Sequence, residues 1–191
     1  LRHLNLDGYE KFYVLITHTH GDHVGGLGLF VQYAFFTLKK PVTIVAPSID
    51  VALDITTLLT IEGNDDSWDE FTTTHTFEAK WFVKSILTEH SPQLKGKCFG
   101  YQLIVDGTNI IYTGDTSTLE PFLPYLECGS ILYVDTSVYY GMIHLKLENA
   151  LNDFLKLNQK GVKVYLMHLD DVQAAQNIVS HYPDINVVTF I

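Results

Sequence analysis

Short apolar runs alternate with longer stretches of helical spacing along most of the chain. Residues 12–16 form a continuous apolar, β-rich run, which predicts a strand buried on both faces. Apolar residues then recur at helical intervals over residues 27–38, and Lys39-Lys40-Pro41 is expected to end that helix. The polar turn between the two elements therefore lies at the C-terminal end of a strand, where layered α/β proteins tend to bind ligands.

Turn and capping signals divide the rest of the chain. Ser48 is expected to cap a helix over residues 49–60, residues 62–67 predict a loop, and Asp106-Gly107 is a strong hairpin signal. Other strands are predicted at residues 42–46, 71–77, 81–87, 99–105, 109–113, 131–134, 162–167 and 185–191, with helices at 120–126, 145–157 and, capped by Asp170-Asp171, 172–182. This α/β pattern predicts two packed mixed sheets covered by helices, although periodicity alone also fits a doubly wound fold.

Composition and charge narrow the class of protein. At 191 residues, 47% of them hydrophobic, the chain is expected to fold as a single domain over residues 1–191, and it has no run long enough to span a membrane. The formal charge of −10 repels nucleic-acid backbones, so a large nucleic acid is disfavoured as a partner. Cys98 and Cys128 lack CxxC spacing and are expected to be reduced thiols of a cytoplasmic protein, although sequence leaves a disulfide between them open.

Four potential metal ligands fall within one short turn: His18, His20, Asp22 and His23. A lone histidine is usually a surface or core residue without a metal. Three imidazoles and a carboxylate in one loop are not explained by packing. The turn between the first strand and helix is therefore predicted to bind metal. His3, His75 and His181 stand in polar contexts and are expected at the surface.

The sequence HTHGDH at residues 18–23 resembles the HxHxDH signature of the metallo-β-lactamase superfamily. The resemblance implies a four-layer αββα sandwich with a dinuclear metal site at one edge. The superfamily's remaining ligands follow in fixed order, and this chain offers His90, Asp115 and His168 at the matching places. Members usually begin with two or three strands before the signature, so we expect those N-terminal strands to be missing from the numbered chain.

The resemblance implies two zinc ions, with manganese or iron as alternatives. Its pattern assigns His18, His20 and His90 to one ion, Asp22, His23 and His168 to the other, and Asp115 as the bridge. A metal-bridging hydroxide would make the reaction a hydrolysis, and Asp22 would count as catalytic as well as ligating. The oxygen-reducing di-iron relatives have glutamate at the position of His20, so their chemistry is not expected here. The common antibiotic-hydrolysing zinc β-lactamases have cysteine at the position of Asp115, so that activity is not expected either.

Asp135 and His144 resemble the acidic residue and histidine of the tRNase Z and phosphodiesterase branch. In that branch the histidine protonates the leaving oxygen and the carboxylate orients it, so His144 would be the general acid and Asp135 its partner. This chain has Asp where Glu is usual, and Leu145 follows the histidine in place of Ser or Thr. The alternative is that His144 only begins an exposed helix.

The number of residues between two of the predicted ligands helps to distinguish a tRNA substrate from a small phosphodiester. Only 24 residues lie between His90 and Asp115, which leaves no room for the tRNA-gripping arm of the usual tRNase Z. The sequence therefore favours a small phosphodiester substrate, resembling that of cyclic-nucleotide phosphodiesterases, among them phage-type enzymes that destroy cyclic-nucleotide defence signals. Tyr139 and Tyr140 are candidates for stacking a base or for ordinary packing and dimer contacts.

Three alternative functions stay open at this stage. A tRNase Z-like endoribonuclease would use the same ligands, and a thioester or lactone hydrolase would use them without His144. A non-catalytic, metal-stabilised binding protein is disfavoured because the ligand set is complete. Relatives of this kind commonly dimerise, so a homodimer without membrane contact is expected.

Overall fold

The computed structural model describes residue 6 and residues 8–189, and the chain divides into two compact units, Leu1–Glu78 and Ala79–Ile191. Each unit contains one sheet, so the described strands form two sheets rather than one doubly wound sheet. His3 and the last two residues of the predicted strand 185–191 lie outside the described residues. The expectation of a single domain stays a prediction.

The sheet of the first unit has three parallel strands in the order β1 (Phe12–Leu15), β2 (Val42–Ala46) and β3 (Glu70–Thr73). The β2 strand is buried throughout, in keeping with its mostly β-branched sequence. The prediction that β1 is buried on both faces is wrong. Tyr13 packs on the ring of Phe77 at 5.6 Å between centroids yet stays 42% exposed, so that face is only partly covered.

The helices of the first unit follow the predicted periodicity. They are α1 (Gly21–Val24), α2 (Leu27–Gln32), which continues as a π-helix over Tyr33–Leu38, and α3 (Ile49–Ile61). Ser48 Oγ accepts a hydrogen bond from Val51 N at 3.3 Å, which confirms the predicted cap. The β3 strand stops before the predicted residue 77 because the chain turns there: Thr73 O accepts from both Thr76 N and Phe77 N.

The sheet of the second unit has six strands, and it changes from antiparallel to parallel pairing. The strands are β4 (Phe82–Thr88), β5 (Cys98–Val105), β6 (Thr108–Tyr112), β7 (Ile131–Asp135), β8 (Lys163–Met167) and β9 (Ile185–Val187), in that order across the sheet. Pairing is antiparallel from β4 to β6 and parallel from β6 to β9. The predicted hairpin is confirmed, with left-handed φ values of 49° at Asp106 and 74° at Gly107.

Two helices, α4 (Leu147–Gln159) and α5 (Val172–Val179), complete the second unit. Phe154 of α4 and Ala175 of α5 belong to the same buried core as Leu132, Val134 and Leu166 of the sheet. The helix predicted at residues 120–126 is only a 3₁₀ turn over Leu123–Tyr125, because the prolines at positions 121 and 124 cannot donate backbone hydrogen bonds.

Parallel strands bring polar residues to one edge of the second sheet. The β7 strand ends in Asp135, Asp115 follows β6, and His168 follows β8 directly. Because β6, β7 and β8 are neighbours in the sheet, their C-terminal ends lie side by side. Among the described residues, none of the helices has the length and apolar character that crossing a membrane requires.

Candidate metal centre

The turn after β1 gathers three imidazoles. His18 is fully buried, and its Nε2 lies 3.1 Å from Nδ1 of His20. The ring of His23 lies 4.1 Å from that of His18 between centroids. The start of α1 sets this geometry, since His20 O accepts hydrogen bonds from His23 N at 3.0 Å and from Val24 N at 3.1 Å. One helical turn thus places His20 and His23 beside His18.

The imidazole nitrogens and the carboxylate of this turn are arranged so that they could bind a cation. Thr17 Oγ1 lies 3.1 Å from His18 Nδ1, so the hydroxyl orients the ring whose Nε2 points to His20. Two imidazole nitrogens that face each other provide electron pairs for a metal in common. Asp22 adds a carboxylate, with Oδ2 3.5 Å from His23 Nε2 and 60% of its side chain exposed.

Asp115 lies between two further histidines in the second unit. Its Oδ2 is 3.6 Å from His90 Nε2 and 3.7 Å from His168 Nε2. The aspartate is 3% exposed, and the His90 side chain is fully buried. One carboxylate oxygen that faces the same nitrogen of two imidazoles has the arrangement expected of a ligand shared by two ions.

The opposite ring nitrogens of both histidines are held by other groups. His90 Nδ1 lies 2.7 Å from Ile143 O, and because a carbonyl only accepts, Nδ1 carries the proton and Nε2 keeps its electron pair. His168 Nδ1 lies 3.3 Å from Asp135 Oδ1, close enough for electrostatic attraction without hydrogen-bond alignment. Metal-ligating histidines are usually oriented in this way, so the residues present fit divalent ions.

A buried carboxylate and a histidine form the second feature of this cluster. Asp135 is fully buried, and its Oδ2 accepts hydrogen bonds from His144 Nδ1 at 2.7 Å and from Thr116 N at 2.8 Å. The hydrogen bond to Asp135 raises the pKa of His144 above its ordinary value, although burial acts in the opposite direction. His144 precedes α4 by three residues and is not part of that helix.

The backbone after β8 is unusual. His168 has a φ of 56°, a left-handed value that few residues other than glycine adopt. That conformation turns the chain sharply after the strand and leaves the imidazole between Asp115 and Asp135. Local strain of this kind is typical of functional positions.

Some supporting groups have no counterpart in the sequence analysis. The Ile143 carbonyl and the Thr116 amide belong to the backbone, so their contacts cannot be predicted from residue type. The cap predicted for Asp170-Asp171 comes from Asp171, which accepts from Ala174 N at 2.8 Å. Asp170 instead binds the turn after β7, a role that would have required knowledge of the β7–β8 pairing.

A cavity of about 630 Å³ opens beside His144 and His168. Its other lining residues include Tyr140, Met142 and Leu169. Tyr140 is 71% exposed and Met142 93% exposed. Apolar and aromatic side chains exposed around a cavity of this size are typical of a ligand-binding site.

The predicted site residues thus occur in two groups. The structure brings together His18, His20, Asp22 and His23 within the first unit, and His90, Asp115, Asp135, His144 and His168 within the second. Cys98 is buried and Cys128 exposed, and both are free thiols. His75 and His181 are exposed as expected. The catalytic and ligand roles stay predictions.

Comparison with known proteins gives a family and a fold. A family model described as anti-Pycsar protein Apyc1 matches residues 1–188. Two curated proteins of that name are similar over most of their length. The one from Bacillus phage BSP38 is 25% identical over 177 residues, 83% of this chain and 68% of the relative. The one from Bacillus phage 010DV004 is 28% identical over 188 residues, 87% of this chain and 70% of the relative.

A solved structure supports the fold independently. The metallo-β-lactamase fold protein YhfI from Bacillus subtilis superposes with a TM-score of 0.68 over 93% of this chain and 74% of its own. At 15% identity the likeness concerns the fold alone. The predicted metallo-β-lactamase fold is confirmed.

Proposed function

The chain belongs to the anti-Pycsar protein Apyc1 family, and from that premise we propose that it is a dinuclear metal-dependent phosphodiesterase that hydrolyses 3′,5′-cyclic nucleotides. The metallo-β-lactamase fold and the His/Asp clusters favour a metal-dependent hydrolase. The observation that carries the phosphodiester assignment is the contact between Asp135 and His144 at 2.7 Å beside Asp115 and His168.

The ligand set of the proposal follows the superfamily resemblance. It comprises His18, His20, Asp22, His23, His90, Asp115 and His168, with zinc as the proposed metal and manganese or iron as alternatives. When bound, such ions acidify a coordinated water and offset the charge of a phosphate.

His144 supplies the proton in this mechanism. Its Nδ1–H donates to the buried Asp135, so Nε2 carries the proton that can be transferred. The oxygen of water forms the new bond to phosphorus, and the water releases one proton to the solvent. The bond from phosphorus to the leaving oxygen breaks, that oxygen takes the proton from His144 Nε2, and a proton from the solvent restores His144. The raised pKa of His144 keeps the ring protonated closer to neutral pH, where a general acid is needed.

The proposed substrate is small. Residues 91–114 are taken up by a short 3₁₀ turn, Pro92–Leu94, and by the β5–β6 hairpin. A chain with a net charge of −10 also attracts long nucleic acids poorly. Both features favour a cyclic nucleotide over precursor tRNA. The family name of the phage relatives agrees with the resemblance to phage-type enzymes that destroy cyclic-nucleotide signals.

A thioester or lactone hydrolase is the second candidate. Such an enzyme would use the same metal ligands, but its leaving group needs no acid of this kind. The hydrogen bond between Asp135 and His144 therefore favours the diester. Assembly as a homodimer, a cytoplasmic location and the absence of membrane partners stay predictions.

The test compares substrates and variants. We expect the zinc-loaded protein to hydrolyse 3′,5′-cyclic nucleotides, and His144→Ala to slow this reaction by about 10²–10⁴-fold with its metal retained. His181→Ala, which changes an exposed histidine, is the matched control and should have no effect. Equal turnover by His144→Ala and wild type, or turnover of thioesters and lactones only, would contradict the proposal.

A further inference from the structure

One carboxylate holds the turn that follows β7. Asp170 Oδ2 accepts hydrogen bonds from Ser137 Oγ at 2.6 Å and from Tyr139 N at 3.0 Å. Asp170 Oδ1 accepts from Val138 N at 2.7 Å, and Ser137 Oγ accepts from Tyr140 N at 2.7 Å. Three consecutive backbone amides therefore depend on Asp170, two of them directly and the third through Ser137. This arrangement fixes the backbone of the turn.

The segment that contains the turn is also closed at its base. Ser137 N donates to Leu145 O at 2.9 Å, and Leu147 N donates to Ser137 O at 2.8 Å. The residues between these bonds form a loop with both ends attached. Tyr140 lies in the middle of the loop, and His144 lies at its end. The conformation of the turn therefore decides where Tyr140 lies relative to His144.

The cavity beside the loop has an apolar wall. Tyr140 and Met142 line it and are largely exposed, while the polar groups of Ser137 and Asp170 are already bonded to the turn. A ligand that presents flat, weakly polar faces suits such a wall better than one that requires many hydrogen bonds. A nucleobase has such faces, and any of the bases can stack on a tyrosine ring.

We propose that Asp170 is a positioning residue that holds the turn so that Tyr140 forms one wall of a nucleobase site beside His144. The inference rests on the proposed function, because the base is that of the cyclic nucleotide. Asp170 itself does not contact the reacting atoms in this arrangement. It acts through the turn and through Tyr140.

The first experiment tests, without catalysis, whether the hydrogen bonds of Asp170 hold the turn; these bonds are called the Asp170 clamp below. Hydrogen–deuterium exchange of the Val138, Tyr139 and Tyr140 amides should be at least about 10-fold faster in Asp170→Asn than in wild type. An asparagine has a single acceptor oxygen and cannot accept from all three donors. Asp153→Asn is the matched control: it removes the same charge from an exposed carboxylate of α4 that binds Lys156, so exchange in the turn should not change.

The second experiment measures the base site. Asp170→Asn and Tyr140→Ala should each raise KM for a 3′,5′-cyclic nucleotide about 10-fold, the size expected for one lost base–aromatic contact, and change kcat little. A base-free ribose 3′,5′-cyclic phosphate should be turned over equally by the variants and wild type. If Asp170→Asn does not fold, Ser137→Ala takes its place, because it removes two bonds of the same turn.

The outcomes separate the two proposals. Unchanged amide exchange in Asp170→Asn would overturn the clamp. Faster exchange with an unchanged KM, or a KM effect that is equal for the base-free compound, would overturn the base site. A wild type inactive on every cyclic nucleotide would overturn the proposed function and the base as occupant, while exchange still decides the clamp. Loss of a dimer in Tyr140→Ala without a KM effect would show that the loop contacts a second copy instead, which also contradicts the inference.

Discussion

The two groups of candidate site residues are built in different ways. In the first unit, His18, His20 and His23 come from one short turn, so sequence spacing alone brings them together. In the second unit, the residues come from strand ends and loops far apart in the sequence, and the parallel β6–β7–β8 arrangement brings Asp115, Asp135 and His168 together. The first group is a local motif, whereas the second is a product of topology.

The supporting contacts of the second group centre on a buried carboxylate. Asp135 Oδ2 binds His144 and the Thr116 amide, and its Oδ1 faces His168. In the first group, one supporting contact is that of the Thr17 hydroxyl with His18. Under the proposed function, the first group binds metal and the second combines metal binding with proton transfer.

The largest effects are expected from removing one ligand in each group. His18→Ala and Asp115→Ala should each lower the metal content and reduce hydrolysis to the background rate, because the metal supplies the activated water. Metal analysis and initial rates on a cyclic nucleotide measure both effects. His75→Ala, which changes an exposed histidine, is the control. Full activity in either ligand variant would remove that residue from the proposed centre.

A smaller and more informative effect is expected from the supporting residues. Asp135→Asn should lower kcat/KM by about 10–100-fold, whereas Thr17→Val should weaken metal binding without altering the pH profile. The hydrogen bond to Asp135 raises the pKa of His144, so asparagine should return this pKa toward its ordinary value. A general acid works below its pKa, and the fall of kcat/KM at high pH should therefore move to lower pH in Asp135→Asn.

Profiles of rate against pH at saturating metal test this pair. An unchanged profile in Asp135→Asn would contradict the role of Asp135 as the partner of His144. A shifted profile in Thr17→Val would show that the first group also takes part in proton transfer, and the distinction between the groups would then fail.

The difference between the groups also explains what could be predicted from the sequence. The HxHxDH turn and the Ser48 cap depend on neighbours in the chain, and residue types reveal them. The superfamily pattern added His90, Asp115 and His168 because their order is fixed. The carbonyl of Ile143 and the clamp by Asp170 depend on which backbone atoms the fold brings near, and side-chain identity carries no such information.

The smallest effect is expected in the first unit, away from the histidines. Ser48→Ala removes the cap of α3 and should lower the free energy of unfolding by about 1 kcal/mol. Activity should not change, because the cap takes no part in holding the ligands. Denaturant unfolding measures the loss, and Ser48→Asp, which also caps helices, should restore it. A loss of activity at unchanged metal content would show that α3 contributes to the site.

Under the proposed function, this protein hydrolyses cyclic nucleotides through bound metal. The most direct measurement is the initial rate on a 3′,5′-cyclic nucleotide for the purified protein as loaded with zinc, after chelation, and after zinc is restored. We predict turnover to the nucleoside monophosphate that disappears on chelation and returns with zinc. No turnover in any state, or turnover indifferent to the chelator, would contradict the account.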